Sequence, residues 1–349
     1  MKELKALVRP NVQLLARKTV GRLSVPEPST PPTICLNRTE NPFNTPSNRY
    51  PAAEAIGQLR LAIANDRRIR PEAVAVTAGT DTPVDTLLRT FCIPQRDNII
   101  VADPTDEDYV RLAILNDIEY RRVRLNDAFD ISAFQFSNAV NQRTKAIILC
   151  SPNYPTGNLL DREELLRLAR RFDGLVIVDE RYAGFARATS LVKDIPDYPN
   201  LVIVSNMSTA FASAALEVGY IIAQPDIVRY VEAVLQPHAL PTPVIDAALN
   251  MLTRRRYDVD KWAKWILDER EKVIAALNML PYCRKVYRSD ANFILAEMDG
   301  AKSICQELAA DNILVEDCSS YTGCADCIGI TIGLNVENNA LLSRLRQRH

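Results

Sequence analysis

Four segments of the chain carry residue types that can hold an anion, a cation or a proton. Thr77-Ala78-Gly79-Thr80-Asp81 sits between an apolar run and a helical pattern. Glycine permits a tight turn there, and the free N–H groups of a helix start can cradle a phosphate. Many such turns bind nothing, so this motif needs company. Ser151-Pro152-Asn153-Tyr154-Pro155-Thr156-Gly157 follows a second apolar run, and Val178-Asp179-Glu180-Arg181-Tyr182 ends a third. A carboxylate at the end of a buried strand is costly unless paired, so Asp179 reads as a ligand-binding group, a helix cap or a salt bridge. The fourth segment, Asn206-Met207-Ser208-Thr209-Ala210-Phe211-Ala212, offers hydroxyls but no amine, and no lysine lies between Lys193 and Lys261.

Two other chemistries lack parts. Cys318, Cys324 and Cys327 (C-x5-C-x2-C) suggest a metal, but there is no second C-x2-C and Cys305 is the nearest fourth candidate. The only histidines are His238 and the terminal His349. No metal is expected, and neither a Ser–His–Asp nor a Cys–His arrangement is credible.

The elements that must position these groups alternate. Strands are expected at Val74–Val76, Asn98–Ala102, Lys145–Cys150, Gly174–Asp179, Leu201–Ser205 and Val218–Ala223, with helices at Thr82–Cys92, Glu107–Leu115, Arg162–Arg171 and Asp226–Leu235. Near-continuous Val/Ile/Leu strands, each followed by a helix, predict an α/β fold with a mostly parallel sheet covered on both faces. Ligands of such sheets bind beyond the carboxyl ends of the strands. Residues 26–32 (PEPSTPP) read as an extended linker, and Pro241 and Pro243 mark a break before a long helix around Asp258–Leu277. A smaller α+β pattern follows: strand Asn292–Met298, helix Ser303–Ala310, and strands Ile313–Val315 and Ile328–Ile332. The division expected is an N-terminal helix and arm over 1–45, a large domain over 46–240 and a small C-terminal domain over 241–349.

Composition narrows the class. With 47% hydrophobic and 24% charged residues over 349 positions, the chain is that of an ordinary globular protein. A net charge of −1 and the lack of basic runs interleaved with aromatics argue against nucleic-acid or membrane-surface binding. The amphipathic start MKELKALVRPNVQLLARK has no apolar signal-peptide region, and no apolar run suits a membrane span. Together with eight scattered cysteines, this leads to the expectation of a cytoplasmic protein with reduced thiols.

Eight ordered motifs point to one family: RYP (Arg49–Pro51), AGTD (Ala78–Asp81), FCIP (Phe91–Pro94), DPT (Asp103–Thr105), CSPNYPTGN (Cys150–Asn158), VDERY (Val178–Tyr182), STAFASAALEVGY (Ser208–Tyr220) and ITIG (Ile330–Gly333). From about Leu7 to the C-terminus the chain resembles the histidinol-phosphate aminotransferases, fold-type-I pyridoxal-phosphate enzymes of the class I/II aminotransferases. The resemblance implies that Asp179 pairs with the pyridine nitrogen and Tyr182 bonds the ring hydroxyl. It implies that Gly79, Thr80, Asp81 and Ser208 face the phosphate, and that Tyr50 is lent by the partner subunit of a dimer.

Other positions depart from the family. Thr209 stands where the Schiff-base lysine belongs, and Tyr154 where an asparagine holds the ring hydroxyl. Asp106 replaces the stacking aromatic, and Glu217 the arginine that clamps the phosphate. Gly329 stands for the substrate-carboxylate arginine, and Glu316 for a further arginine of the small lobe. A hydroxyl forms no imine and shuttles no proton as an amine does. One charge pair at 4–5 Å is worth roughly 3–4 kcal/mol at an effective dielectric near 20, so Glu217 in place of arginine is expected to weaken phosphate binding on the order of a thousandfold. Gly329 offers no fork to a carboxylate.

Three functions compete on these residues. The first is a non-catalytic homologue, binding pyridoxal phosphate weakly or not at all. It would work as a partner or regulator, either as a homodimer or in a heterodimer with an active paralogue. The second is an enzyme with lysine-independent chemistry or a cationic small-molecule ligand, with Asp106, Asp179, Glu217, Tyr154, Tyr182 and Thr209 gathered around one cavity. Its bland counterpart is drift, in which polar residues fill a wet, unused pocket. The third retains histidinol-phosphate transamination through another lysine.

Overall fold

The computed structural model of the chain describes residues 3–22, 39–41, 43 and 48–348. The segment 26–32, expected to be a linker, lies outside the described residues. Seven strands build the main sheet: β1 (Val74–Ala78), β2 (Asn98–Asp103), β3 (Glu119–Arg124), β4 (Thr144–Cys150), β5 (Leu175–Asp179), β6 (Leu201–Asn206) and β7 (Val218–Ile222). Their order is β1-β7-β6-β5-β4-β2-β3. The pairs from β3 through β6 are parallel, and β7 runs antiparallel to both β1 and β6.

Burial explains why most of this was legible. All residues of β5, β6 and β7 are buried, because helices cover both faces. Ile147, Leu149, Val176 and Val178 point to one layer with Leu59, Ile63, Leu165 and Leu168. Ile148, Ile177 and Val204 point to the other, with Val84, Leu87, Leu88 and Val231. The helix Arg162–Arg171 shows the local logic. Asp161 caps it by accepting the Glu164 N–H at 2.9 Å, acidic residues open it, and Arg170 and Arg171 close it. Leu168 on its inner face is fully buried, and Leu168→Ala is expected to cost about 2–5 kcal/mol in urea unfolding.

The second sheet is antiparallel, in the order β10-β11-β9-β8, with β8 (Cys283–Val286), β9 (Phe293–Met298), β10 (Glu316–Asp317) and β11 (Cys327–Thr331). The long helix Arg256–Leu277 packs against it, and Val273, Leu277, Ile294, Ile304, Ile330 and Leu342 share its core. One sequence expectation is corrected here. Ile313–Val315 is not a strand; the pairing begins after it, with Glu316 opposite Gly329 and Asp317 opposite Ile328. The apolar run stands outside the ladder, and Leu314 is among the most exposed hydrophobic side chains. Among the described residues, no helix is long and apolar enough to cross a membrane.

The topology places the candidate residues. The carboxyl ends of β1, β2, β4, β5 and β6 open on one edge of the sheet, and the reversed β7 starts there, with Glu217 at its mouth. Two glycines allow that approach. Gly79 has φ +102°, and a Cβ at Gly219 would lie 2.6 Å from the Gly79 carbonyl oxygen.

Candidate functional site

Asp179 ends β5 and is almost fully buried, at 2% exposure. Its partner stands two residues on. Arg181 donates Nε–H to Asp179 Oδ2 at 2.8 Å and brings Nη2 to 2.7 Å from the same oxygen. The Tyr109 hydroxyl donates to that oxygen at 2.9 Å, and the Arg181 backbone N–H donates to Oδ1 at 2.9 Å. Three of the protein's own donors thus converge on Oδ2 and one on Oδ1. Arg181 also reaches Asp106 through Nη1 at 3.1 Å and lies 3.8 Å from Asp81, which Arg111 holds at 3.0 Å. Its guanidinium sits over the Tyr109 ring, 5.8 Å from the centroid.

The electrostatics follow from burial. Desolvation works against the charge on Arg181, but Asp179 and the groups around it outweigh that and hold the guanidinium well above its usual range. Burial, followed by the Asp179 charge, pushes the Tyr109 hydroxyl far up, so it stays a donor. Asp106 is raised above the ordinary 3.8, chiefly by burial; the Arg181 attraction is the smaller effect because Asp179 already occupies that cation. A raised carboxyl opposes folding above its folded value, and the opposition fades as pH falls through that value toward 3.8. Asp106→Asn is therefore expected to equal or exceed the parent in urea stability at pH 7, with the difference vanishing in acid. A loss of stability at neutral pH would count against this ordering of burial and attraction.

A second cluster forms at the β1 turn. The Glu217 carboxylate accepts from the Thr80 backbone N–H at 3.1 Å and from the Thr80 hydroxyl at 3.2 Å. The donors expected to face a phosphate therefore hold an internal anion. Glu217 is exposed, so its charge is screened, and the thousandfold penalty reckoned from sequence is corrected downward. Ser208 keeps a buried Oγ without a hydrogen-bond partner. Its backbone N–H donates to Asn206 Oδ1 at 3.0 Å, and the Thr209 hydroxyl turns to the same oxygen at 3.5 Å.

A third group lines a cavity of about 310 Å³ beside the small sheet: Tyr154, Tyr182, Asn292, Phe293, Glu316 and Gly329 face it, among others. The Tyr154 hydroxyl donates to Glu316. The Phe293 ring meets Tyr182 at 5.1 Å and Tyr154 at 5.3 Å, both edge to face. At Gly329 a Cβ would lie 3.0 Å from Cys318 Sγ, so the thiol fills the place of a longer side chain. Tyr50 is apart from all three clusters, exposed and stacked on His238 at 5.1 Å. Cys318, Cys324 and Cys327 are buried in the main core.

The expectation that six residues share one cavity is thus corrected. Asp106 and Asp179 join through Arg181, Glu217 sits on Thr80, Thr209 on Asn206, and only Tyr154 and Tyr182 line the cavity. The Asp179, Arg181 and Asp106 cluster is not a wet one, with side-chain exposures of 2%, 11% and 15%. The residues missed from sequence are Arg181 and Tyr109. The signal for the first was present: a buried strand-end aspartate with an arginine two positions away.

These residues do not fit pyridoxal phosphate. The aspartate for the ring nitrogen already holds an internal guanidinium, with three donors on Oδ2, and the phosphate turn carries a carboxylate. Tyr154 extends into the cleft to reach Glu316. Among the described residues, no lysine lines this cavity or a smaller one of about 70 Å³ lined by Arg67, Glu180, Arg181 and Asn206.

Comparison with known proteins agrees with the fold. A family model described as aminotransferase class I and II matches residues 22–345. The chain is 35% identical over 347 residues to the histidinol-phosphate aminotransferase of Bacteroides fragilis (strain YCH46), covering 99% of each chain. It is 34% identical over 313 residues to that of Flavobacterium psychrophilum, covering 90% of each. Among solved structures, the histidinol-phosphate aminotransferase from Clostridium acetobutylicum superposes with a TM-score of 0.78 at 21% identity, over 85% of this chain and 90% of that one. The Sinorhizobium meliloti enzyme, solved in complex with pyridoxal-5'-phosphate, gives 0.75 at 17% identity, over 98% and 88%.

Proposed function

We propose, for a chain that belongs to the class I and II aminotransferases and within them to the histidinol-phosphate aminotransferase family, a cytoplasmic role that does not include transamination. One observation carries the reading. Arg181 occupies Asp179, the carboxylate that the family resemblance assigns to the pyridine nitrogen, with charge-assisted bonds of 2.7–2.8 Å. A cationic side chain takes the part of a pyridinium, while Glu217 takes the part of a phosphate on Thr80. With Thr209 in the lysine position there is no amine to form the imine or to move the proton between carbons.

The role that best suits such a chain is that of a dimeric partner or regulator of a lysine-bearing paralogue. In support, the Tyr50 side chain is exposed and stacks on His238, while the Tyr50 backbone N–H donates to Glu40 at 2.7 Å, which leaves the ring turned outward where a neighbouring subunit could meet it. Co-expression with a lysine-bearing family member, followed by affinity capture and size-exclusion chromatography, tests this. A one-to-one mixed dimer whose activity falls when Tyr50 becomes alanine is the expected result. A protein that assembles only with itself and leaves every such homologue unchanged would rule the partner role out. Retained transamination stands against two features of the site: among the described residues no lysine lines the cleft, and no charged fork stands at Gly329.

A further inference from the structure

The 310 Å³ cavity carries a charge character of its own. Its volume falls at the lower end of the range of about 300–1,000 Å³ found for small-molecule sites. Three aromatic rings form much of its wall. Tyr154 and Tyr182 lie 6.5 Å apart and within 27° of parallel, and Phe293 stands edge-on to both. A fourth ring, Tyr321, buttresses Tyr154 at 6.1 Å and 81°. Aromatic faces are the negative ends of quadrupoles and attract cations within about 6 Å.

The polar atoms on the wall have the same sign. Glu316 presents a carboxylate that already receives the Tyr154 hydroxyl. Asn292 also lines the cavity and brings no formal charge to it. Among the described residues, no lysine, arginine or histidine faces the cavity. The nearest guanidinium in the network, Arg181, is spent on Asp179 and Asp106. Across that edge Arg181 and Arg111 face Asp81, Asp106, Asp108 and Asp179, which leaves the surrounding field negative. Burial and the Asp106 charge both make it harder for Glu316 to stay ionised alone, so a cation placed beside it relieves a standing cost.

We infer that this cavity binds a small organic cation of the alkylammonium class, without a carboxylate or phosphate, held between the Tyr154, Tyr182 and Phe293 rings and the Glu316 carboxylate. A substrate anion has no partner there, because Gly329 is bare and its side-chain space is taken by Cys318. An ammonium N–H finds its acceptor in Glu316, and methylene or methyl groups pack on the rings. The inference rests on the reading that pyridoxal phosphate has been displaced from this cleft, and Tyr154 serves in both. Glu316, Tyr182 and Phe293 belong to the cavity alone; Arg181 and Glu217 belong to the displacement alone.

The test uses the full chain with choline and n-propylammonium as cationic probes, 3,3-dimethyl-1-butanol as the neutral isostere of choline, and propionate as the anion. Thermal shift and isothermal calorimetry report binding, since a ligand that prefers the folded state raises Tm with concentration. Saturable binding of at least one cation is expected, at least tenfold tighter than the isostere, with no response to propionate. Glu316→Gln should weaken cation binding about tenfold, and Phe293→Leu by several-fold, while Arg60→Gln, remote on the helix Ala53–Arg67, should change nothing. Equal binding of the isostere, preferential binding of propionate, an unaffected Glu316→Gln variant, or no binding of either cation at millimolar concentration would each overturn the inference. Borohydride trapping of pyridoxal phosphate on the same preparation separates the two readings. A trapped cofactor refutes the displacement, whereas absence of both adduct and cation binding refutes the cation site alone.

Discussion

Replacing Arg181 by methionine destabilises the protein by about 3–5 kcal/mol, the usual cost of removing one partner from a buried ion pair. Methionine keeps much of the aliphatic stem, so the loss reports on the charge rather than on packing. Asp179 is 2% exposed and would retain only the Tyr109 hydroxyl and a backbone N–H. A carboxylate so placed pays most of its desolvation without a counter-charge. The double variant Arg181→Met with Asp179→Asn should recover most of the stability, because a neutral amide needs no cation. Urea unfolding with an unchanged m-value reads both. A single variant within about 0.5 kcal/mol of the parent, the range of ordinary surface substitutions, would mean that the network is not formed.

Thr209→Lys by itself leaves the chain without measurable transaminase activity. The new amine would lie at the family's lysine position, but Asp179 would still be bonded by Arg181 and Thr80 would still hold Glu217. Glycine at 329 would still give a substrate carboxylate no anchor. Changing Glu217 to arginine in the same background should tighten pyridoxal-phosphate binding about tenfold, the scale of ~1 kcal/mol for a screened charge at the surface. Removing Arg181 together with Asp106 should add more, since the guanidinium then leaves with one of its two buried carboxylates and Asp179, still buried, is in want of a cation. Binding is read by absorbance titration and turnover with histidinol phosphate and 2-oxoglutarate. Activity from the single lysine variant would show that the other changes are incidental.

Much of the scaffold could be read from the residues because burial is two-sided. β4, β5 and β6 appear as unbroken apolar runs since helices cover both faces, and their carboxyl ends carry Ser151, Asp179 and Asn206. β3 was not legible: EYRRVR lies at the sheet edge with only Val123 buried, so its polarity hides the strand. β10 was mislocated because the apolar Ile313–Val315 precedes the ladder that Glu316 and Asp317 join. In the site, the need of Asp179 for a partner followed from its position, but the choice of Arg181 did not. A long side chain can fold back onto its own strand end or extend to solvent, and spacing does not distinguish the two. Glu217 was legible as a charge hostile to phosphate. That it takes up the Thr80 donors itself depends on the reversed direction of β7, a tertiary fact.

The most direct measurement is a pyridoxal-phosphate titration of the purified full chain, followed by borohydride reduction and peptide mapping by mass spectrometry. With Asp179 engaged by Arg181, Thr80 by Glu217 and Thr209 in the lysine position, no saturable uptake is expected at micromolar cofactor. Any reduced adduct should map to lysines outside the cleft. One equivalent of cofactor bound at micromolar concentration, or a stoichiometric reducible adduct on a single lysine, would contradict a cleft that holds its own ions in the cofactor's place.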